Sequence, residues 1–380
     1  MKIGIDAHYL QDANYRAGLH QYTLRLVEGL QEIDRANEYT LFFFNWRSRE
    51  RDRAIEGYSV HANFRKHTVR LPYRVFASAA SWFPPLGRIP GKVDVFHGPA
   101  FRLFPEGCYR KAVVTVHDLM FMKDETFFPD PRGAKRFRAQ TADAVSRADA
   151  VVAVSEFTRE DLIERFGLSP DRVRVIHNGV GEEFQPLGDR NAVDRMKARY
   201  GIHGSYILFV GYMEPKKNLP RLLRAFDKVR DRLPEPHALV LAGPGGPSSK
   251  EVKRTATELS LGKALVLTGH VPPEELPLLY SGASLFVFPS LCEGFGLPPL
   301  EAMACGTPVV ASNSTSLPEV VGSAGVLVDP LDTEDIARGM FEVLADKDLK
   351  AALVKRGIER SREFSWSRTA RQTLGLYEEL

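Results

Sequence analysis

The chain has 380 residues, 44% apolar and 26% charged, which is enough to build two domains of ordinary size without any repeat or low-complexity tract. A net charge of +3 is too slight to argue for nucleic acid, and no nucleic-acid motif accompanies it. Cys108, Cys292 and Cys305 give no disulfide framework and no C-x-x-C metal spacing, and no apolar stretch is long enough to span a bilayer.

Strand-like and helix-like segments alternate along the whole chain, which is the pattern of parallel α/β sheets. MKIGIDAHYL carries an acid at Asp6 and reads as a first strand rather than a secretory signal, so a reducing cytoplasm is expected. Strands are predicted near 2–7, 39–45, 66–71, 93–98, 112–118, 150–155 and 173–178. Helices are predicted over 18–34, 133–148 and 156–166, the last capped by Ser155. After Asn178-Gly179 the pattern lapses into the polar, turn-rich GVGEEFQPLGDRN, a linker. A second series follows, with strands at 205–211, 237–243, 264–269, 284–290, 307–312 and 325–329 and helices at 217–232, 249–261, 297–304 and 333–345. The division is therefore 1–182 as a Rossmann-like first domain, 183–204 as linker, 205–362 as a Rossmann-like second domain and 363–380 as a C-terminal helix. Two such sheets in tandem are expected to face each other across a cleft, since open α/β sheets bind ligands at their carboxyl ends.

The richest stretch is EGFGLPPLEAMACG at 293–306, directly after the buried-strand run SLFVFPS. Gly294 and Gly296 permit a tight turn, Pro298 and Pro299 suit the start of a helix, and Gly306 ends it. The free amides of that helix start, with the positive end of its dipole, suit a phosphate. Glu293 and Glu301 beside such a site make sense when the ligand also offers hydroxyls. An isolated E-x7-E reads as a cap plus a surface carboxylate. Here it stands in PSxxEGFGxPxxEAMACGxPVV, accompanied in order by VIHNGV, GYMEPKKNLPRLLRAF and LTGHVPPEELPLLYSGASLFVFPS.

These motifs resemble the retaining glycosyltransferases of family four, over nearly the whole chain and most sharply over 205–330. The resemblance implies the two-domain GT-B architecture, a nucleotide-sugar donor as substrate, no cofactor, and a glycan or lipid-linked acceptor. It also implies a C-terminal helix that crosses back to the first domain, and domains that close over the donor. Glu301 is expected to accept hydrogen bonds from the donor ribose and Glu293 from the transferred sugar. The amides of Gly294, Phe295, Gly296 and Leu297 are expected to meet phosphate and sugar, with Ser290 a weaker candidate. The nucleobase is expected against the backbone near His270 and Val271.

Charge on the departing diphosphate must be stabilised. The one D-x-D spacing noted, Asp346-Lys-Asp348, lies between two C-terminal helices and reads as surface, so no metal is expected. Lys216 and Lys217 in MEPKKN supply the positive charge instead. Lysines at a helix start oppose the dipole, which argues for an anionic ligand there. The family usually has Arg or Lys at both places. Many members have an earlier Arg where this chain has Tyr212. In the first domain, Gly18 marks a phosphate-facing turn at a helix entry, with Ala17 in place of a glycine common in the family. His117 corresponds to a family histidine on the donor sugar, with Asp118 as its neighbour. His97 is an acceptor-side candidate.

Between Gly57 and Val93, Arg65, Lys66, Arg70, Arg74, Arg88 and Lys92 are interleaved with Tyr73, Phe76, Trp82 and Phe83, and no acid intervenes. A second basic group is Arg132, Lys135, Arg136 and Arg138. Such mixing marks a solvated face with ordinary core aromatics, a site for an anionic acceptor, or a reversible contact with an anionic membrane at its inner face. The combination HDLMF, MEPKKN and SEFTRED is most similar to the mannosyltransferase-like branch, which implies GDP-mannose. UDP- or dTDP-sugar donors, and a GT-B phosphorylase or isomerase, are the alternatives. A dinucleotide oxidoreductase is disfavoured because neither first strand precedes G-x-G-x-x-G, and AGPGGP is broken by prolines.

Overall fold

A computed structural model describes residues 1–11, 18–71, 75–76, 92–123 and 131–380. Ala17, Tyr73, Arg74, Trp82, Phe83 and Arg88 lie outside the described residues. The chain divides into two compact units. The first comprises Met1–Leu119, Arg132–Gly179 and Trp366–Leu380, and the second Met120–Pro131 and Val180–Ser365.

The first unit is a seven-stranded sheet in the order β3-β2-β1-β4-β5-β6-β7. Its strands are β1 (Lys2–Asp6), β2 (Glu38–Phe44), β3 (Phe64–Val69), β4 (Val93–Gly98), β5 (Tyr109–Val116), β6 (Ala150–Ala153) and β7 (Val173–Val175). Every pairing among them is parallel. Strands such as AVVA in β6 are buried throughout, as happens when helices cover both faces of a parallel sheet. Among the described residues, its longer helices before the C-terminal one are α1 (Gly18–Ile33), α2 (Arg49–Gly57), α3 (Pro131–Arg147) and α4 (Glu156–Phe166). Ser155 caps α4 by accepting from the Thr158 amide, and Gly167 closes it in the left-handed conformation. The C-terminal helix (Trp366–Glu379) packs on α1 at a point where α1 has no side chain. A Cβ on Gly29 would stand 2.8 Å from the Cβ of Ala370.

The second unit is a six-stranded parallel sheet in the order β10-β9-β8-β11-β12-β13. Its strands are β8 (Ser205–Val210), β9 (His237–Ala242), β10 (Leu265–Gly269), β11 (Leu285–Phe288), β12 (Val309–Ser312) and β13 (Val326–Val328). Its helices are α5 (Arg190–Arg199), α6 (Leu219–Val229), α7 (Ser249–Glu258), α8 (Leu276–Ser281), α9 (Leu297–Ala304), α10 (Leu317–Val321), α11 (Thr333–Ala345) and α12 (Lys347–Ser361). In both sheets the strand order reverses beside the first strand, between β1 and β4 and again between β8 and β11. Loops diverge at such a point and leave room for a ligand at the strands' carboxyl ends.

Several helices departed from the sequence reading, α8 and α10 among them. α2 buries only Ile55 and α5 only Met196, so neither shows an apolar stripe. α5 falls within the segment read as linker, where the Asp189 carboxylate caps it and it packs against α8. α12 starts at the D-x-D spacing itself. Asp346 accepts hydrogen bonds from the amides of Asp348 and Leu349, so that aspartate is a helix cap.

Candidate functional site

The second unit brings the two lysines and Glu293 together at its switch point. β8 runs into a short 3-10 turn, Pro215–Lys217, and β11 into the glycine loop before α9. The two loops are stitched by the Leu291 amide, which donates to the Lys216 carbonyl (2.8 Å). Asn218 adds a second stitch. It takes a left-handed conformation (φ 59°), which asparagine tolerates better than most residues. From there its side-chain amide donates to the carbonyls of Pro289 (3.1 Å) and Pro330 (2.7 Å). One side chain thus ties the loops after β8, β11 and β13.

Within this frame Lys217 is 8% exposed and donates to Glu293 Oε1 at 2.6 Å. Its ammonium also lies 4.8 Å from the centre of the Phe288 ring. Lys216 stands 3.7 Å from Glu293 Oε2 and 3.5 Å from Glu214. Burial alone would raise the Glu293 pKa. The charges of Lys217 and Lys216 overcome that and hold the carboxyl below its usual range, while the buried Ser290 hydroxyl has no hydrogen-bond partner among the described residues. An ammonium has three donors, and Glu293 takes one of those on Lys217. The other two have no hydrogen-bond partner among the described residues. A buried cation with unspent donors suits an anion rich in acceptor oxygens.

The loop from Glu293 to Leu297 is held from behind. The Glu293 amide donates to Thr315 Oγ1 (3.1 Å), and the Ser316 hydroxyl contacts the carbonyls of Glu293 (3.0 Å) and Phe295 (2.8 Å). Gly296 precedes α9 at φ 114°, and a Cβ there would lie 2.6 Å from Leu317 Cδ2, so no other residue fits without displacement. Gly294 and Phe295 are buried, with the Phe295 ring against Phe364 at 5.7 Å, and Leu297 is the first residue of α9. Glu301, half-buried one turn into α9, accepts a hydrogen bond from Tyr280 (2.8 Å). His270 is exposed and Val271 buried, just after Gly269 at the end of β10. Tyr212 is 46% exposed.

In the first unit Gly18 opens α1, and Tyr22, one turn on, packs edge-on against His117 at 4.7 Å. His117 follows β5, and its Nε2 lies 2.8 Å from the Pro99 carbonyl. A carbonyl only accepts, so Nε2 carries the proton and Nδ1 keeps its lone pair. Nδ1 has no partner among the described residues. Burial lowers the His117 pKa, while the Pro99 bond and the charge of Asp118 oppose that, so the ring is neutral at neutral pH.

His97 is not the acceptor-side residue its position at a strand end implied. It is fully buried, with Nδ1 bonded to the Tyr377 hydroxyl (2.5 Å) and Nε2 to Thr115 Oγ1 (2.8 Å). Thr115 in turn meets the Tyr22 hydroxyl (3.0 Å). The sequence reading also missed a buried cluster at the β1–β4 switch point. Arg102 Nε donates to Asp6 Oδ2 at 2.7 Å, and His8 Nδ1 contacts Asp6 Oδ1 at 3.1 Å. Asn218 and Tyr280 were missed as well, since their partners lie far away in sequence. Among the described residues no group of three or more His, Cys, Asp or Glu side chains is arranged to hold a metal, and no helix is long and apolar enough to cross a membrane.

Residues 16–184 match the family model described as Glycosyltransferase Family 4, and residues 195–360 that described as Glycosyl transferases group 1. The chain is 33% identical over 284 residues to the O-antigen chain mannosyltransferase B of Escherichia coli, spanning 75% of this chain and 74% of that protein. It is 36% identical over 264 residues to the serotype-specific mannosyltransferase WbdA of Escherichia coli, spanning 68% of this chain and 32% of that longer protein. Sucrose-phosphate synthase from Thermosynechococcus elongatus shares the fold, with a TM-score of 0.76 at 22% identity over 100% of this chain and 98% of that one.

Proposed function

Because this chain belongs to glycosyltransferase family four and has its two-domain GT-B architecture, we propose that it transfers mannose from GDP-mannose, with retention of configuration, to a glycan or lipid-linked acceptor of the O-antigen or polysaccharide type. The observation that carries this reading is Lys217, a buried ammonium with two unspent donors at the switch point of the second sheet. In this reading Lys217 and Lys216 hold the diphosphate, helped by the amides from Gly294 to Leu297, and no divalent ion takes part. Glu293 holds Lys217 in place and meets hydroxyls of the transferred sugar, Glu301 meets the ribose, and His270 and Val271 border the base. His117 offers Nδ1 to a sugar hydroxyl. The bond from the anomeric carbon to the diphosphate breaks, the acceptor oxygen bonds to that carbon on the same face, and the acceptor proton passes to the departing phosphate oxygen.

The mannosyl donor and the acceptor class are supported by the two Escherichia coli relatives named as mannosyltransferases, one of them for the O-antigen chain. The test is a thermal-shift and turnover panel of GDP-mannose, UDP-glucose, UDP-N-acetylglucosamine and dTDP-rhamnose, each with and without EDTA. The product's anomeric coupling is then read by NMR. GDP-mannose should give the largest shift, EDTA should change nothing, and the anomer should be retained. A larger shift with another donor, or an inverted anomer, overturns the corresponding part.

A further inference from the structure

The Tyr280 side chain sits at the end of α8, just before β11, and none of it reaches solvent. Its ring is clamped edge-on by Phe286 at 5.5 Å and Phe184 at 5.9 Å, and its carbonyl accepts from Thr307 Oγ1 at 2.6 Å. The phenol oxygen has almost no freedom left. It points at Glu301 Oε2, 2.8 Å away, on a carboxylate that is half-buried. A buried tyrosine hydroxyl needs a partner, and a backbone carbonyl would satisfy it. Tyr206 in the same unit is satisfied in just that way, by the Leu279 carbonyl at 2.6 Å. Tyr280 instead spends its donor on an ionisable side chain that reaches the surface.

We propose that Tyr280 is a positioning residue for nucleotide recognition, its hydroxyl fixing the Glu301 carboxylate in the orientation that receives the 2′,3′-diol of the donor's ribose. The inference rests on the reading that Glu301 meets the ribose. A glutamate on a surface helix samples several rotamers, and each one frozen only on binding weakens affinity. The Tyr280 bond removes that freedom beforehand. A carboxylate presents about four acceptor positions, and the Tyr280 bond takes one of them. Burial, and then the charge of Glu301, raise the Tyr280 pKa well above its usual value, so the phenol donates at every working pH. The neighbouring thiol of Cys305 stays protonated, since burial and Glu301 push its pKa up to about 12.

The test titrates the full chain, its Tyr280→Phe and its Glu301→Gln variants, with GDP and UDP and with their 2′,3′-dideoxy counterparts. Tyr280→Phe removes one oxygen and no ring atoms, and near-ultraviolet circular dichroism checks that the core is intact. It should weaken the better-bound of GDP and UDP about three- to tenfold, in line with one hydrogen bond, and change the dideoxy compound less than twofold. Equal weakening of both compounds, or none of either, overturns the proposal when Glu301→Gln still shows a ribose-dependent loss. A loss in Glu301→Gln that ignores the ribose hydroxyls overturns the underlying assignment of Glu301, and the positioning role with it.

Discussion

In the second unit the strand ends present a buried ammonium, Lys217, with donors to spare, whereas in the first unit they present a neutral imidazole, His117, with a lone pair to spare. Both sit where parallel strands open toward solvent, and both are pinned by one bond, to Glu293 and to the Pro99 carbonyl. The difference lies in what burial does to each. Around Lys217, two lysines hold the buried Glu293 carboxyl in its charged form. Around His117, burial outweighs Asp118 and drives the ring to its neutral form. The first suits phosphate oxygens, which only accept, and the second suits a sugar hydroxyl, which also donates. Similar sheets have thus been given unlike chemistries by which side chains meet at the strand ends.

The sharpest way to break this contrast is Lys217→Ala. Losing one charge that stabilises a departing anion costs on the order of 2.7–4 kcal/mol of barrier, so turnover should fall about a hundredfold or more with the protein still folded. The same change leaves the buried Glu293 carboxylate with only the more distant Lys216, at 3.7 Å, as a cationic neighbour, which lowers the melting temperature. Adding Glu293→Gln should restore much of the stability and none of the turnover. Recovery of turnover in the double variant would show that Lys217 acts only through the fold.

His117→Ala should have a smaller effect, about three- to tenfold in kcat/KM, as befits one neutral hydrogen bond. With the imidazole pKa held down in the folded state, the pH profile of kcat/KM should show no acid limb near pH 6.5. A limb there that disappears in the alanine variant would mean the ring works as a cation, and the contrast between the units would fail.

Tyr377→Phe should be smallest on activity, within twofold, because His97 faces the core. It leaves a buried nitrogen without its partner and should cost about 1–3 kcal/mol of stability. Burial, and then His117, hold the His97 pKa down to about 3, against 6.5 ordinarily. The unfolded chain therefore takes up a proton that the folded one refuses. This contribution to stability is complete above pH 6.5 and is lost progressively as pH falls from there toward about 3. Urea unfolding at a series of pH values checks both statements.

How much of this was legible in the sequence depended on reach. The parallel sheets were, because β8, β9 and β11 are unbroken apolar runs between turn residues. The lysine pair and E-x7-E were too, because each lies next to a strand end and a helix start that a local pattern marks. The partners of those groups were not. Tyr280 looks like one more apolar residue in LPLLYSGASLFVF, and only the packing of α8 against α9 brings it to Glu301. His97 shows the converse error. Its place at the end of β4 is the same kind of place as that of His117, but Tyr377, 280 residues away, closes its ring into the core. The D-x-D at 346–348 became a cap once α12 was known to begin there.

The central claim is that protein cations, Lys217 foremost, hold the diphosphate with no divalent ion. The direct measurement is calorimetric titration of GDP into EDTA-treated protein and into Lys217→Ala, repeated with magnesium or manganese. Tight binding in EDTA that the metals leave unchanged and that weakens tenfold or more without Lys217 is the predicted result. Binding that appears only with the metal, or that ignores Lys217, would contradict it.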